Sequence, residues 1–211
     1  MICQAHKPKA ELRPIRPSDI PEVVDIHFRN LSPNTDRRFH ERALYPTICH
    51  PASTGFGFVQ VRDAKVVGYV VGMLDTSAWR WTLVRTRALE CLLAATRLCL
   101  SKWGAFFRAV KRARYLMTNS SKKPVGHLFA LAIDEAYHGL GFGVKLVQAF
   151  LDYCHLHGII RLRWMSPKAN RAVRMIALHF GGRIEKELIV SRETHVVYCF
   201  DFDKAEETDK E

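Results

Sequence analysis

A chain of 211 residues with 48% hydrophobic content is long enough to bury one compact core and short for two ordinary domains. It holds no uncharged apolar run of about 18 residues, which argues against a membrane-spanning helix, and its first residues lack the apolar centre of a secretory leader. The net charge of +11 reports one local insertion rather than a generally basic protein. Six cysteines with no C-x-x-C pair and no regular framework read as packing residues in a reducing cytoplasm.

In chain order, residues 12–16 read as a short strand and 17–27 as a helix. Ser18 or Asp19 is placed to cap that helix, Pro21 suits its first turn and Glu22 its positive end. His27 and Arg29 lie at its end, with a surface position expected for each. Residues 56–61 and 66–73 read as two strands joined by a tight turn at 63–65.

Residues 77–123 carry eleven Arg and Lys against the single acid Glu90, a local net charge of +10 that holds nearly all of the chain's excess. Trp79, Trp81, Leu83, Leu89, Leu92, Trp103 and Phe106 are interleaved with the cations, and no proline interrupts 77–122. Helices are expected, two of them with a break near 101–104. Three readings compete: a packed helix pair with a solvated basic side, peripheral contact with an anionic membrane through 79–116, and nucleic-acid binding. Nucleic acid is the least favoured, because no recognised nucleic-acid module accompanies the charge.

Residues 128–133 (LFALAI) form a strand-like apolar run, and 144–151 repeat apolar residues at helical spacing. Between them lies His138-Gly-Leu-Gly-Phe-Gly143. Alternate glycines at a strand-to-helix junction leave the first helical N–H groups unobstructed, and the helix dipole makes them an anion site. The third glycine comes one residue too early for the G-x-G-x-x-G dinucleotide fingerprint. Lys145 is followed by Leu146, which excludes the triphosphate loop. Further on, 158–165 reads as a strand and Asn170 as the cap of a helix over 171–180. Gly181 or Gly182 closes that helix, and 195–200 forms the last strand, before a charged tail at 205–211.

From about residue 128 to 202 these motifs resemble the GNAT acetyltransferase superfamily. The resemblance implies an α/β fold: a mixed sheet flanked by helices, within one domain spanning 1–204, with 77–123 as a basic helical insertion between the N-terminal hairpin and the CoA-binding half. A looser likeness is to bacterial members with an Arg-rich helical insertion, found near glycan genes. The family's pattern implies that Leu131, Ala132 and Ile133 hold the pantetheine and polarise the thioester. It places the pyrophosphate of acetyl-CoA on the amides of Gly139, Leu140, Gly141, Phe142 and Gly143, with His138 beside them, and the pantetheine arm at Asn170. His138 and Leu140 replace residues that are commonly basic or amide in the family. Seven residues after Asn170 the family often has a tyrosine acid; here that position is Ala177, and Gly182 replaces a usual Phe.

The catalytic candidates are therefore Asp134 and Glu135 as bases and Tyr198 as a substitute acid, with His127 as a further candidate base. The expected activity is direct transfer of an acetyl or other acyl group from acetyl-CoA to an amine or hydroxyl, on a sugar or glycan precursor. The alternative is a non-catalytic acyl-CoA sensor or a membrane-associated interaction module. No metal is expected, the location is cytoplasmic or membrane-peripheral, and a homodimer is admitted.

Overall fold

The computed structural model describes residues 10–31, 36–101, 125–190 and 193–202. The part of the basic insertion after Ser101, including most of the expected break at 101–104, and the charged tail lie outside the described residues. Seven strands form one sheet: β1 Ala10–Pro14, β2 Gly55–Arg62, β3 Lys65–Met73, β4 Val125–Ile133, β5 Arg161–Pro167, β6 Arg183–Val190 and β7 Glu193–Asp201. The helices are α1 Ile20–Asn30, α2 Arg37–Phe39, α3 Tyr45–Ile48, α4 Thr76–Thr86, α5 Ala88–Ser101, α6 Phe142–Leu156 and α7 Arg171–His179. A π-helical turn, His40–Leu44, joins α2 to α3.

The strand order is β1-β2-β3-β4-β5-β7-β6. All neighbours are antiparallel except β4 and β5, whose parallel pairing requires the crossover that α6 supplies. The mixed sheet flanked by helices is the expected fold class. Asp63 and Ala64 make the β2–β3 turn with φ of 53° and 61°, the left-handed pair that matches the twist of a two-residue hairpin.

Each face of the sheet carries its own core. On one face, Val23, Val24 and Ile26 of α1, Tyr45 of α3 and Trp79 and Leu83 of α4 pack on Val59, Tyr69, Val71 and Ala130. On the other, Leu146, Val147 and Phe150 of α6 pack on Val70, Leu128, Leu162 and Trp164. Phe150 is fully buried and stacks on Phe56 with ring centres 4.4 Å apart.

Several local expectations change. Asp19 occupies the cap position of α1, but its carboxylate turns back to Arg16 N (2.8 Å) and to Arg13 (2.7 and 2.8 Å) instead of capping the helix. His27 is only 4% exposed, not a surface residue, and its Nδ1 lies 2.7 Å from the Tyr69 hydroxyl and 2.8 Å from that of Tyr45. The insertion breaks first at Arg87, between α4 and α5, and α5 runs to Ser101. Asp75 starts α4 by accepting from Ser77 N and Ala78 N at 2.7 and 3.0 Å. The strand β6, absent from the sequence reading, pairs with β7 along the sheet edge.

Candidate active site

β4 and β5 are paired only from Val125 opposite Arg161 to Leu128 opposite Trp164. Beyond that point β4 stays with β3, from Ala130 opposite Val71 to Ile133 opposite Gly68. β5 meanwhile stays with β7, out to Pro167 opposite His195. The two strands therefore part, and the β5-facing edge of 129–133 keeps backbone donors and acceptors without a strand partner. Such groups need a ligand or water to satisfy them. A cleft of about 510 Å³ opens at this divergence.

Leu131, Ala132 and Ile133 of β4 form one wall of the cleft. His138, Gly139, Gly141, Phe142 and Gly143 form its glycine-rich end, and Asn170 lines the side nearest α7. Leu140 is the exception among the expected donor-binding residues: its side chain is 50% exposed and it does not line the cleft. The walls also include residues that sequence reasoning missed. Asn30 and Leu31 come from the end of α1, Tyr137 from the turn after β4, and Val173 and Ile176 from α7. The i, i+3 spacing of Val173 and Ile176 was a usable signal, whereas nothing local marked Asn30 or Leu31.

The glycines have a stated backbone reason to be glycines. Gly139 and Gly141 have φ of +77° and +75°, the left-handed region, and Gly141 is the N-cap of α6 with no side-chain cap. The first N–H groups of this 15-residue helix therefore lack intrahelical partners at the cleft. The Nε2–H of His138 donates to the Ile133 carbonyl at 2.9 Å, tying the loop to the end of β4. Asn170 accepts from Val173 N at 3.1 Å through Oδ1, which caps α7 as expected. Gly181, at φ +73°, closes α7.

The three catalytic candidates are not brought together. Asp134 accepts from Arg29 Nη1 at 3.0 Å and from Ala136 N at 3.2 Å, so its carboxylate clasps α1 to the end of β4 and does not line the cleft. Glu135 stands exposed on the following 3-10 turn. Tyr198 is 1% exposed inside the second core near Trp164, and burial raises its phenol pKa; it too is absent from the cleft walls. Ala177 is fully buried in the same core, with the Gly182 amide donating to its carbonyl at 2.8 Å. No side chain at that position supplies an acid.

His127, the further base candidate, is 7% exposed on β4 and lies outside the cleft walls. Burial, then the nearby Arg163 guanidinium, pushes its pKa from 6.5 down to about 4. A neutral imidazole in the fold and a titrating one in the unfolded chain make the unfolded state bind more protons between those values. Stability is then complete above pH 6.5 and lost as pH falls toward 4, by about 3 kcal/mol. Chemical denaturation across that range is expected to show this slope in the wild type, and His127→Asn is expected to flatten it. An equal slope in both proteins rejects the assignment.

The comparisons with known proteins agree with this geometry. The sequence model of the acetyltransferase (GNAT) family matches residues 20–181. Similar solved structures include the ribosomal-protein-S18-alanine N-acetyltransferase from Escherichia coli, at 11% identity and a TM-score of 0.59, covering 92% of this chain and 94% of that one. Ard1 from Thermoplasma volcanium is similar at 15% identity and a TM-score of 0.59, covering 91% and 97%. Arabidopsis thaliana NAA60 in complex with acetyl-CoA is similar at 12% identity and a TM-score of 0.60, covering 92% and 99%. No curated protein matches by sequence. These identities show a shared fold, while the family match spans most of the chain and carries the family's reaction, acetyl transfer from acetyl-CoA to an amine. The parted strands, the glycine turn and the capped α7 are thus the frame of a family enzyme: the chain belongs to the acetyltransferase (GNAT) family.

Proposed function

We propose that this acetyltransferase acts directly on an amine or hydroxyl of a sugar or glycan precursor, without a covalent enzyme intermediate. The observation that carries the donor half is that nine of the ten expected donor-binding residues line the same cleft. The amides of Gly139, Gly141, Phe142 and Gly143 hold the pyrophosphate at the start of α6. The unpaired β4 edge at Leu131, Ala132 and Ile133 holds the pantetheine and donates a backbone N–H to the thioester oxygen, where charge develops in the transition state. Asn170 keeps its amide NH₂ for the pantetheine arm because Oδ1 already serves as the cap.

Acetyl-CoA supplies an activated acyl carbon when bound; this chain's residues supply position and hydrogen bonds. The acceptor nitrogen or oxygen bonds to that carbon as the C–S bond breaks. Water in the open cleft takes the acceptor's proton and returns one to the thiolate, because Asp134 is engaged with Arg29 and Tyr198 is interior. Asp134 thus positions α1, whose Asn30 and Leu31 line the cleft, and does not serve as the base. Among the described residues no carboxylate lines the cleft, so these walls offer a free polycation no complementary charge.

Release of CoA thiol from acetyl-CoA, measured against amino sugars, sugar alcohols, peptide amines and polyamines, tests the proposal. Steady release with an amino sugar or sugar hydroxyl is the expected result. Donor binding without release across that panel supports the sensor reading instead, and preferred turnover of peptide amines overturns the sugar assignment.

A further inference from the structure

The helices α4 and α5 carry apolar side chains on their solvent side as well as their buried side. In α4, Trp79 and Leu83 face the core at 7% and 9% exposure, while Trp81 and Val84 face outward at 62% and 50%. In α5, Cys91 packs against the core, yet Leu89, Leu92 and Leu93 stand out at 64%, 62% and 42% exposure. The spacings 81, 84, 85 and 89, 92, 93 are i, i+3, i+4, so each helix presents an exposed stripe. Single exposed apolar residues need no explanation, but five large ones within thirteen consecutive residues do.

The charges around these stripes are one-sided. Along α4 and α5 the cations are Arg80, Arg85, Arg87 and Arg97, and Glu90 is the only acid within the two helices. The Arg85 guanidinium carbon lies 5.5 Å from the centre of the Trp81 ring, which puts a cation against an exposed aromatic surface. Arg97 is already paired with Asp36 at 3.0 Å and the Nε of Arg87 is buried, so among the described residues of the two helices the available positive charge sits on Arg80 and Arg85 of α4.

We propose that the α4–α5 surface docks on an anionic lipid membrane, with Trp81, Leu89, Leu92 and Leu93 entering the interfacial layer and Arg80 and Arg85 meeting lipid phosphates. A membrane surface satisfies both halves of the pattern at once: apolar depth for the leucines and tryptophan, and negative charge at the level of the arginines. Nucleic acid would pair with the arginines but leave the leucines in water. A second copy docked through the same surface would bring two arginine-rich faces together. Among the described residues no helix is long and apolar enough to cross a membrane, so the contact is peripheral. This proposal is independent of the acceptor assignment.

Co-sedimentation of the full chain with vesicles of phosphatidylcholine, alone or with about 30% phosphatidylglycerol, tests it. Binding at least about tenfold stronger to the anionic vesicles is expected, falling with added salt and accompanied by a blue shift of tryptophan emission that Trp81→Phe reduces. Leu89→Ser with Leu92→Ser is expected to weaken vesicle binding about tenfold while acetyl-CoA binding, which shows the variant folded, is unchanged. Equal binding to both vesicle types overturns the proposal. So does undiminished binding by the double leucine variant, or displacement from anionic vesicles by an equal phosphate concentration of duplex DNA.

Discussion

Gly72→Ala is expected to lower the unfolding free energy by at least about 3 kcal/mol, the upper end of the usual cost of overpacking. Gly72 lies on β3 opposite Leu128, next to an irregularity in the β3–β4 pairing. An added Cβ would stand 2.2 Å from the His127 carbonyl oxygen and 2.4 Å from Phe150 Cζ. The first obstacle is backbone in a paired strand. The second is a fully buried ring stacked on Phe56. Neither can move without opening the β3–β4 ladder or the core beneath α6. Gly143→Ala is the internal comparison, since its Cβ would meet only the Ile176 Cδ1 at 3.3 Å, the end of a flexible side chain. Urea titration of both variants decides the matter. A Gly72→Ala protein as stable as the wild type would mean that this approach of strand and ring is not as close as described.

The second large effect falls on the donor. Gly139→Val combined with Gly141→Val is expected to weaken acetyl-CoA binding about 100-fold, equivalent to about 3 kcal/mol, or two charge-assisted hydrogen bonds to phosphate. Both glycines have positive φ, and a Cβ on either would meet nothing within 4 Å. Packing is therefore not at stake; a β-branched residue resists the left-handed backbone and redirects the amides that face the cleft. A loss of stability smaller than that of Gly72→Ala is expected alongside. Leu140→Ala is the control, because Leu140 is half exposed and outside the cleft walls. Calorimetric titration with acetyl-CoA reads the effect, and an unchanged affinity in the double glycine variant removes the loop from donor binding.

These two glycine classes show how differently sequence and structure speak. Gly139 and Gly141 sit between an apolar strand-like run and a helical period, so their role as a turn is written in their neighbours. Gly72 lies inside a run that reads as strand, and its partners, His127 and Phe150, are more than fifty residues away. The same division runs through the site. Asn170 announces itself by position, and its cap to Val173 spans three residues. Asp134 also announces itself by position, but its ion pair with Arg29 spans 105 residues and no local signal marks it. The sequence around His27 reads as surface because no local signal marks the two phenols, 18 and 42 residues further on, that enclose it. The charged strand β6 escaped notice because its sequence RIEKELIV reads as solvated, and only its ladder with β7 makes it a strand.

From sequence alone came what short-range chemistry dictates: the hairpin turn, the glycine junction at 138–143, the capped α7 and the segregation of positive charge into one insertion; the acyl-CoA donor came from the family resemblance that these motifs carry. The tertiary structure alone decided where β4 leaves β5, that Asp134 clasps α1, that Tyr198 and Ala177 are interior, and that α1 lends Asn30 and Leu31 to the cleft. The reason is physical: φ, capping and periodicity are properties of neighbouring residues. A cleft is made where two strands stop sharing hydrogen bonds, and that depends on what each strand pairs with on its far side.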